Sequence, residues 1–169
     1  FAQLAMYRVC IAKSKHEMAM RAAENAIRLN PNLAMAHFGR GHALWHAGRA
    51  REAIASLDEA MRLGPHDPAM TSWQAAKAIA LALSGELDGA IEWSRRAQEH
   101  PNVAIFSHVG EICALGLLGR SAEAAVAIAR ARRVMPGVTV SHLAKVLPIT
   151  HGPSRAIFLS GLRKAGLPE

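Results

Sequence analysis

A spacing of 34 residues runs through most of this 169-residue chain and limits what it can fold into more than any single motif does. The segment from Ala34 to Asp67 sets the pattern: Gly41 lies in a first apolar stretch, Gly48 at a turn, then come Ala53, Leu57, Ala60 and a closing Pro65. Thirty-four residues upstream, Ala26 and Pro31 stand where Ala60 and Pro65 stand. Downstream, Gly85 and Ala90 follow after 37 residues, and Gly119, Ala124 and Ala131 after 34 more, with Pro136 ending the unit. The extra residues fall in the stretch HDPAM (66–70), where lengthening a loop costs little. A period of this length marks stacked units, each too small to bury its apolar face alone. Hydrophobic residues make up 51% of the chain, aromatic residues 5%, and alanine is abundant, which favours helices over strands. The reading is an all-α array of helix pairs in one domain, with units at about 1–32, 33–67, 68–101 and 102–136.

After Pro136 the period stops. Residues Val138 to Leu147 form a short apolar helix on this reading, the loop PITHG turns the chain, and Pro153 suits the first position of a last helix running to about Ala165. Phe158, Leu159 and Leu162 give that helix an apolar side, and Arg155, Arg163 and Lys164 a polar one. A pair of this kind, 137–169, reads as the capping end of an array.

The units resemble the tetratricopeptide repeat (TPR) family, whose repeat is an antiparallel helix pair and whose arrays are right-handed α-solenoids. Where that family usually has a first-helix tryptophan, this chain has His37, Gln74 and His108; where it has a bulky second-helix aromatic, this chain has Ala23, Leu57, Ser94 or Ile128. Trp73 and Trp93 are expected to fill space that these small residues leave. The resemblance implies a concave groove lined by first helices, here by Met35, Phe38, His42, Trp45 and His46, then Ser72, Ala76 and Ile79, then Phe106, Val109 and Cys113. Relatives that clasp a C-terminal carboxylate use Lys, Arg and Asn there, and the matching positions here carry no cation. Such a strip suits the apolar side chains of a partner helix, a second copy, or the chain's own terminal segment; alternatively, small residues close the superhelix and leave little groove.

Catalytic signatures are missing: there is no GxSxG, no glycine-rich phosphate loop and no calcium loop. His16-Glu17 lacks the second histidine of a zinc hydrolase motif, because Met20 stands in its place. His42 and His46 share a helix face with His37 one turn away, which makes a metal or ligand site on this helix the alternative to an interaction surface. Cys10 and Cys113 are too few for a disulfide framework and read as reduced, buried thiols of a cytoplasmic protein. The net charge of +7 raises the question of nucleic acid, yet most cations lie among acids at helical spacing, and no aromatic residues interleave the less balanced Arg120, Arg130, Arg132 and Arg133. No apolar run is long enough for a membrane span.

The chain begins at Phe1, and a fragment of a longer protein is the expectation. Its ending, FLSGLRKAGLPE (158–169), resembles the C-terminus of bacterial multidomain regulators in which a repeat array follows a class III adenylate or guanylate cyclase domain or a winged-helix DNA-binding domain. The expected role is a non-catalytic module for protein or peptide partners, or for self-association as a homodimer. It calls for no cofactor, no specific nucleic acid and no membrane contact.

Overall fold

The computed structural model describes residues 13–100 and 103–169, and among them every regular element is an α-helix. Cys10 and the first part of the 1–32 unit lie outside the described residues. The helices are α1 (Lys13–Leu29), α2 (Ala34–His46), α3 (Ala50–Leu63), α4 (Met70–Ser84), α5 (Leu87–Gln98), α6 (Phe106–Leu117), α7 (Ser121–Val134), α8 (Val140–Val146) and α9 (Gly152–Lys164). Helices α2/α3, α4/α5 and α6/α7 are hairpins stacked into a TPR-like α-solenoid. Gly85, between α4 and α5, sits at φ +90°, and Gly48 and Gly119 hold the same place in the other two hairpins at +83° and +70°. A side chain in that left-handed region is strained, so glycine fits all three turns.

The second helices carry amphipathic patterns with charges suited to their ends. Glu52, Asp88 and Glu123 lie in the first turns of α3, α5 and α7, while Arg62, Arg96 and Arg133 lie in the last. Ala53, Ala60, Ala90, Ala97, Ala124 and Ala131 are fully buried, and helices pack close on them. At Gly41 a methyl group would come within 2.8 Å of Leu57 Cγ and 3.1 Å of the Ala53 carbonyl oxygen. Trp73 fills the space between hairpins, as the sequence suggests: it is fully buried, stacks on Phe38 at 5.8 Å and lies against Gly64. Trp93 is half-buried, with the Lys77 ammonium 3.9 Å from its ring centroid.

One buried charge ties the last two hairpins together. Glu111, on α6, is fully buried. Its carboxylate accepts from Arg95 Nε on α5 (2.8 Å), from Arg130 on α7 (2.7 and 2.8 Å) and from Gln98 Nε2 (3.0 Å), while its backbone N–H donates to Ser94 Oγ (2.8 Å). Burial alone raises the carboxyl pKa, but the hydrogen bonds from Gln98, Arg130 and Arg95 outweigh it and hold the group below its ordinary value. Two of the arginines that look unbalanced in sequence are therefore paired: Arg130 with Glu111, and Arg120 with Glu123 and Asp88. Arg130→Ala leaves a buried carboxylate with Arg95 and Gln98 alone and is expected to cost about 3 kcal/mol, measured by urea unfolding; Arg62→Ala, on an exposed pair, should leave the unfolding midpoint almost unchanged.

Candidate functional site

The C-terminal segment does not continue the stack; it folds back over the first helices. Helix α9 packs along α6 and reaches α4. The approach is close enough that a methyl on Gly116 would meet the Gly161 carbonyl oxygen at 1.9 Å and Ala165 N at 2.6 Å, and one on Gly161 would meet Cys113 Sγ at 2.6 Å. His151 caps the helix, its Nδ1 accepting from Ser154 N (3.3 Å) and Ser154 Oγ (2.9 Å), and Pro153 occupies the first turn. Ahead of α9, the loop is fastened to the end of α2. His46 Nδ1 donates to the Pro148 carbonyl (3.2 Å), and the His46 carbonyl accepts from Thr150 Oγ1 (3.1 Å) and His151 N (3.4 Å).

The residues expected to line an open groove are mostly covered, Cys113 and His46 by this segment and Phe38 and His42 by neighbours within the stack. Phe38, His42, Trp45, His46, Ala76, Ile79, Val109 and Cys113 are buried, and only Met35, Ser72 and Phe106 are half-buried. Phe38 spends its face on Trp73 inside the stack. Cys113 lies under α9, with Sγ 3.8 Å from the Phe158 carbonyl oxygen. Ser72 and Phe106 border a cleft of about 210 Å³ between the starts of α4 and α6, lined also by Thr71, Ala75 and Ser107. Of the candidate occupants of the inner face, the chain's own terminal segment is the one seated there.

The histidines assemble differently from the sequence expectation. His37 turns away, its Nε2 donating to the Pro31 carbonyl (2.8 Å). In its place His16, from α1, packs against His46 with ring centroids 5.1 Å apart, and His42 lies 4.8 Å from His46. Trp45 stacks on His46 at 3.6 Å. Among the described residues no group of three or more His, Cys, Asp or Glu could hold a metal ion, so His37, His42 and His46 do not form the ligand set that their spacing suggested. The cluster is instead a neutral core. Burial, then the neighbouring His16, pushes His42 down to about 4; burial, His42 and His16 hold His46 well below its ordinary value against the Pro148 hydrogen bond; burial lowers His16. Sequence spacing could not bring His16 into this group, because its contact is set by how α1 packs on α2.

A model of the tetratricopeptide repeat family matches residues 12–68, a stretch that contains α1, α2 and α3. It supports that family for these helices, and the two hairpins that follow repeat the same arrangement. No curated protein matches the chain. Among the described residues no helix is long and apolar enough to cross a membrane.

Two outcomes are expected from this geometry. The folded-state histidine pKa values lie below the unfolded value near 6.5, so the unfolded chain takes up protons first; stability is full above that pH and falls as pH drops toward about 4. His42→Phe should flatten that fall in thermal melts recorded from pH 7 to pH 4.5, provided that the variant folds at pH 7. Burial pushes the Cys113 thiol up to about 12, and it should resist iodoacetamide in the native protein at pH 8 while reacting fully in 6 M guanidinium, as read by mass spectrometry of the 113-containing peptide.

Proposed function

We propose that the chain is a non-catalytic protein-interaction module whose inner face receives helices, with α9 as its resident occupant. The observation that carries this reading is the seating of α9. A helix with one apolar side, formed by Phe158 and Leu162, lies across first helices that resemble the groove-lining helices of tetratricopeptide arrays, and the carbonyl-to-methyl distances around Gly116 and Gly161 show how closely one helix can be held there. On this reading the buried residues Ile79, Val109 and Cys113 meet a partner only when α9 leaves, and Ser72 and Phe106 are the part of the face already half-open. On this face a protein partner is favoured over a small molecule, because the cleft beside Ser72 is small and carries no cluster of titratable side chains.

The tail FLSGLRKAGLPE, by its resemblance to the ends of cyclase-type regulators, supports placing such a module at the C-terminal, regulatory end of a bacterial signalling protein in the cytoplasm. Much of that tail is α9 itself, so the segment that carries the resemblance is also the one that closes the inner face.

Phe158→Asp should unseat α9, and a fluorescein-labelled peptide of residues 150–167 should then bind the variant at least about tenfold more tightly than it binds the native chain in an anisotropy titration. A variant that keeps its helical circular dichroism yet refuses the peptide would sink the proposal. So would one that loses its fold, because α9 would then be indispensable core.

A further inference from the structure

We infer that the outer face of α7 is a second docking surface, fitted to an amphipathic helix of a partner protein that bears carboxylates. Register within the array carries the inference. In α3 the positions Ile54, Asp58 and Met61 face the next helix, with Asp58 ion-paired to Lys77 on α4. In α5 the matching positions are Ile91, Arg95 and Gln98; Ile91 is buried, and Arg95 and Gln98 both reach Glu111 on α6. Each of these interfaces therefore joins apolar contact to a cation–carboxylate pair that crosses from one hairpin to the next. One unit on, the same positions are Ala125, Ala129 and Arg132, and all three are exposed.

Nothing in the described chain takes the next helix's place there. The main helical neighbour of α7 is α6, because α9 has gone to the inner side instead of capping this end. Beside these positions, Val126, which stands where the exposed Ala55 and Glu92 stand in the earlier units, adds an apolar side chain to the same surface at 56% exposure. Arg132 stands where Met61 and Gln98 stand in the earlier units, and Arg133 where Arg62 and Glu99 stand. Among the described residues Arg132 and Arg133 make no ion pair, whereas Arg95, Arg96, Arg120 and Arg130 all do. The ion-pairing position, Asp58 in α3 and Arg95 in α5, is Ala129 here, and the cation Arg132 stands instead at the Gln98 position, which in α5 meets the Glu111 carboxylate; what the face lacks is a helix with apolar residues at i, i+3 and i+4 and a carboxylate beside them. The charge argues against a second copy of this chain, whose net charge is +7, as the occupant.

The inference rests on the interaction-module reading but concerns a surface separate from the inner face, and its test keeps the two apart. The probe is a fluorescein-labelled, end-blocked 18-residue peptide of Leu, Ala and Glu with leucines at i, i+3, i+4 and i+7, titrated with the full chain at 0.15 M salt; a twin with every Glu replaced by Lys is the control. Binding of the acidic peptide, at least about tenfold weaker for Arg132→Glu/Arg133→Glu and for Ala129→Arg, is the expected result. The charge-matched Arg155→Glu/Lys164→Glu pair on α9 should change it less than about twofold, and hydrogen exchange should slow at residues 122–134. No binding, binding of the lysine twin, or equal loss with the α9 pair would overturn the proposal. So would a footprint on α6 and α9, which would leave the inner-face reading standing. A dimer in sedimentation equilibrium that Ala129→Arg dissolves would also overturn it, by making a second copy the occupant.

Discussion

Helix backbones in this protein meet at distances that leave no room for a methyl group, and the rest of the structure depends on those approaches. At Gly41 they close one hairpin onto itself, and at Gly110, where a methyl would lie 2.7 Å from Ala78 Cβ, they close one hairpin onto the next. At Gly116 and Gly161 they hold the last helix against α6. Small residues remove side-chain volume from the core, and the loss is offset by contact over a larger stretch of backbone. That substitution explains how an array with so few aromatic residues packs at all. Trp73, fully buried, occupies the space that Gly64 leaves free of a side chain.

Local features of the fold were legible because local chemistry decides them. The turn at Gly85 needs a residue tolerant of positive φ, the helix α9 needs a start that Pro153 supplies, and the repeat of Ala53, Ala90 and Ala124 marks a packing position that recurs with each unit. What the sequence withheld are contacts made across units. Arg130 looks unpaired when neighbours in sequence are scanned, yet it reaches Glu111 on another helix, and Arg120, whose chief partner Glu123 lies three residues on, also touches Asp88 across units. Glu111 itself carries no local sign that it is buried, since its partners come from α5 and α7.

The candidate site was legible as a face and misread as a surface. The residues assigned to the inner side do gather there in part, with Cys113 beneath α9 and His46 beneath the preceding loop. Phe38 faces Trp73 inside the stack instead. Whether such a face is open depends on where a later segment goes, and an apolar side on α9 fits equally well over the end of the array or over its inner wall. The close contact between Gly116 and Gly161 selects the wall, and it becomes visible only once both helices are placed.

The loop fastened to His46 changes how the chain folds as well as what it exposes. Repeat arrays are dominated by contacts between neighbours in sequence, so units can form and melt semi-independently, in the manner of a one-dimensional chain of coupled elements. Here Thr150 and His46 are bonded across 104 residues, and Phe158 and Cys113 across 45. Those long closures join the last segment to early and middle units, raising the contact order of a topology that is otherwise local. The last segment thereby links units that a plain array would leave independent, so that fraying of the loop at Thr150 bears on α2 and fraying of α9 bears on α6.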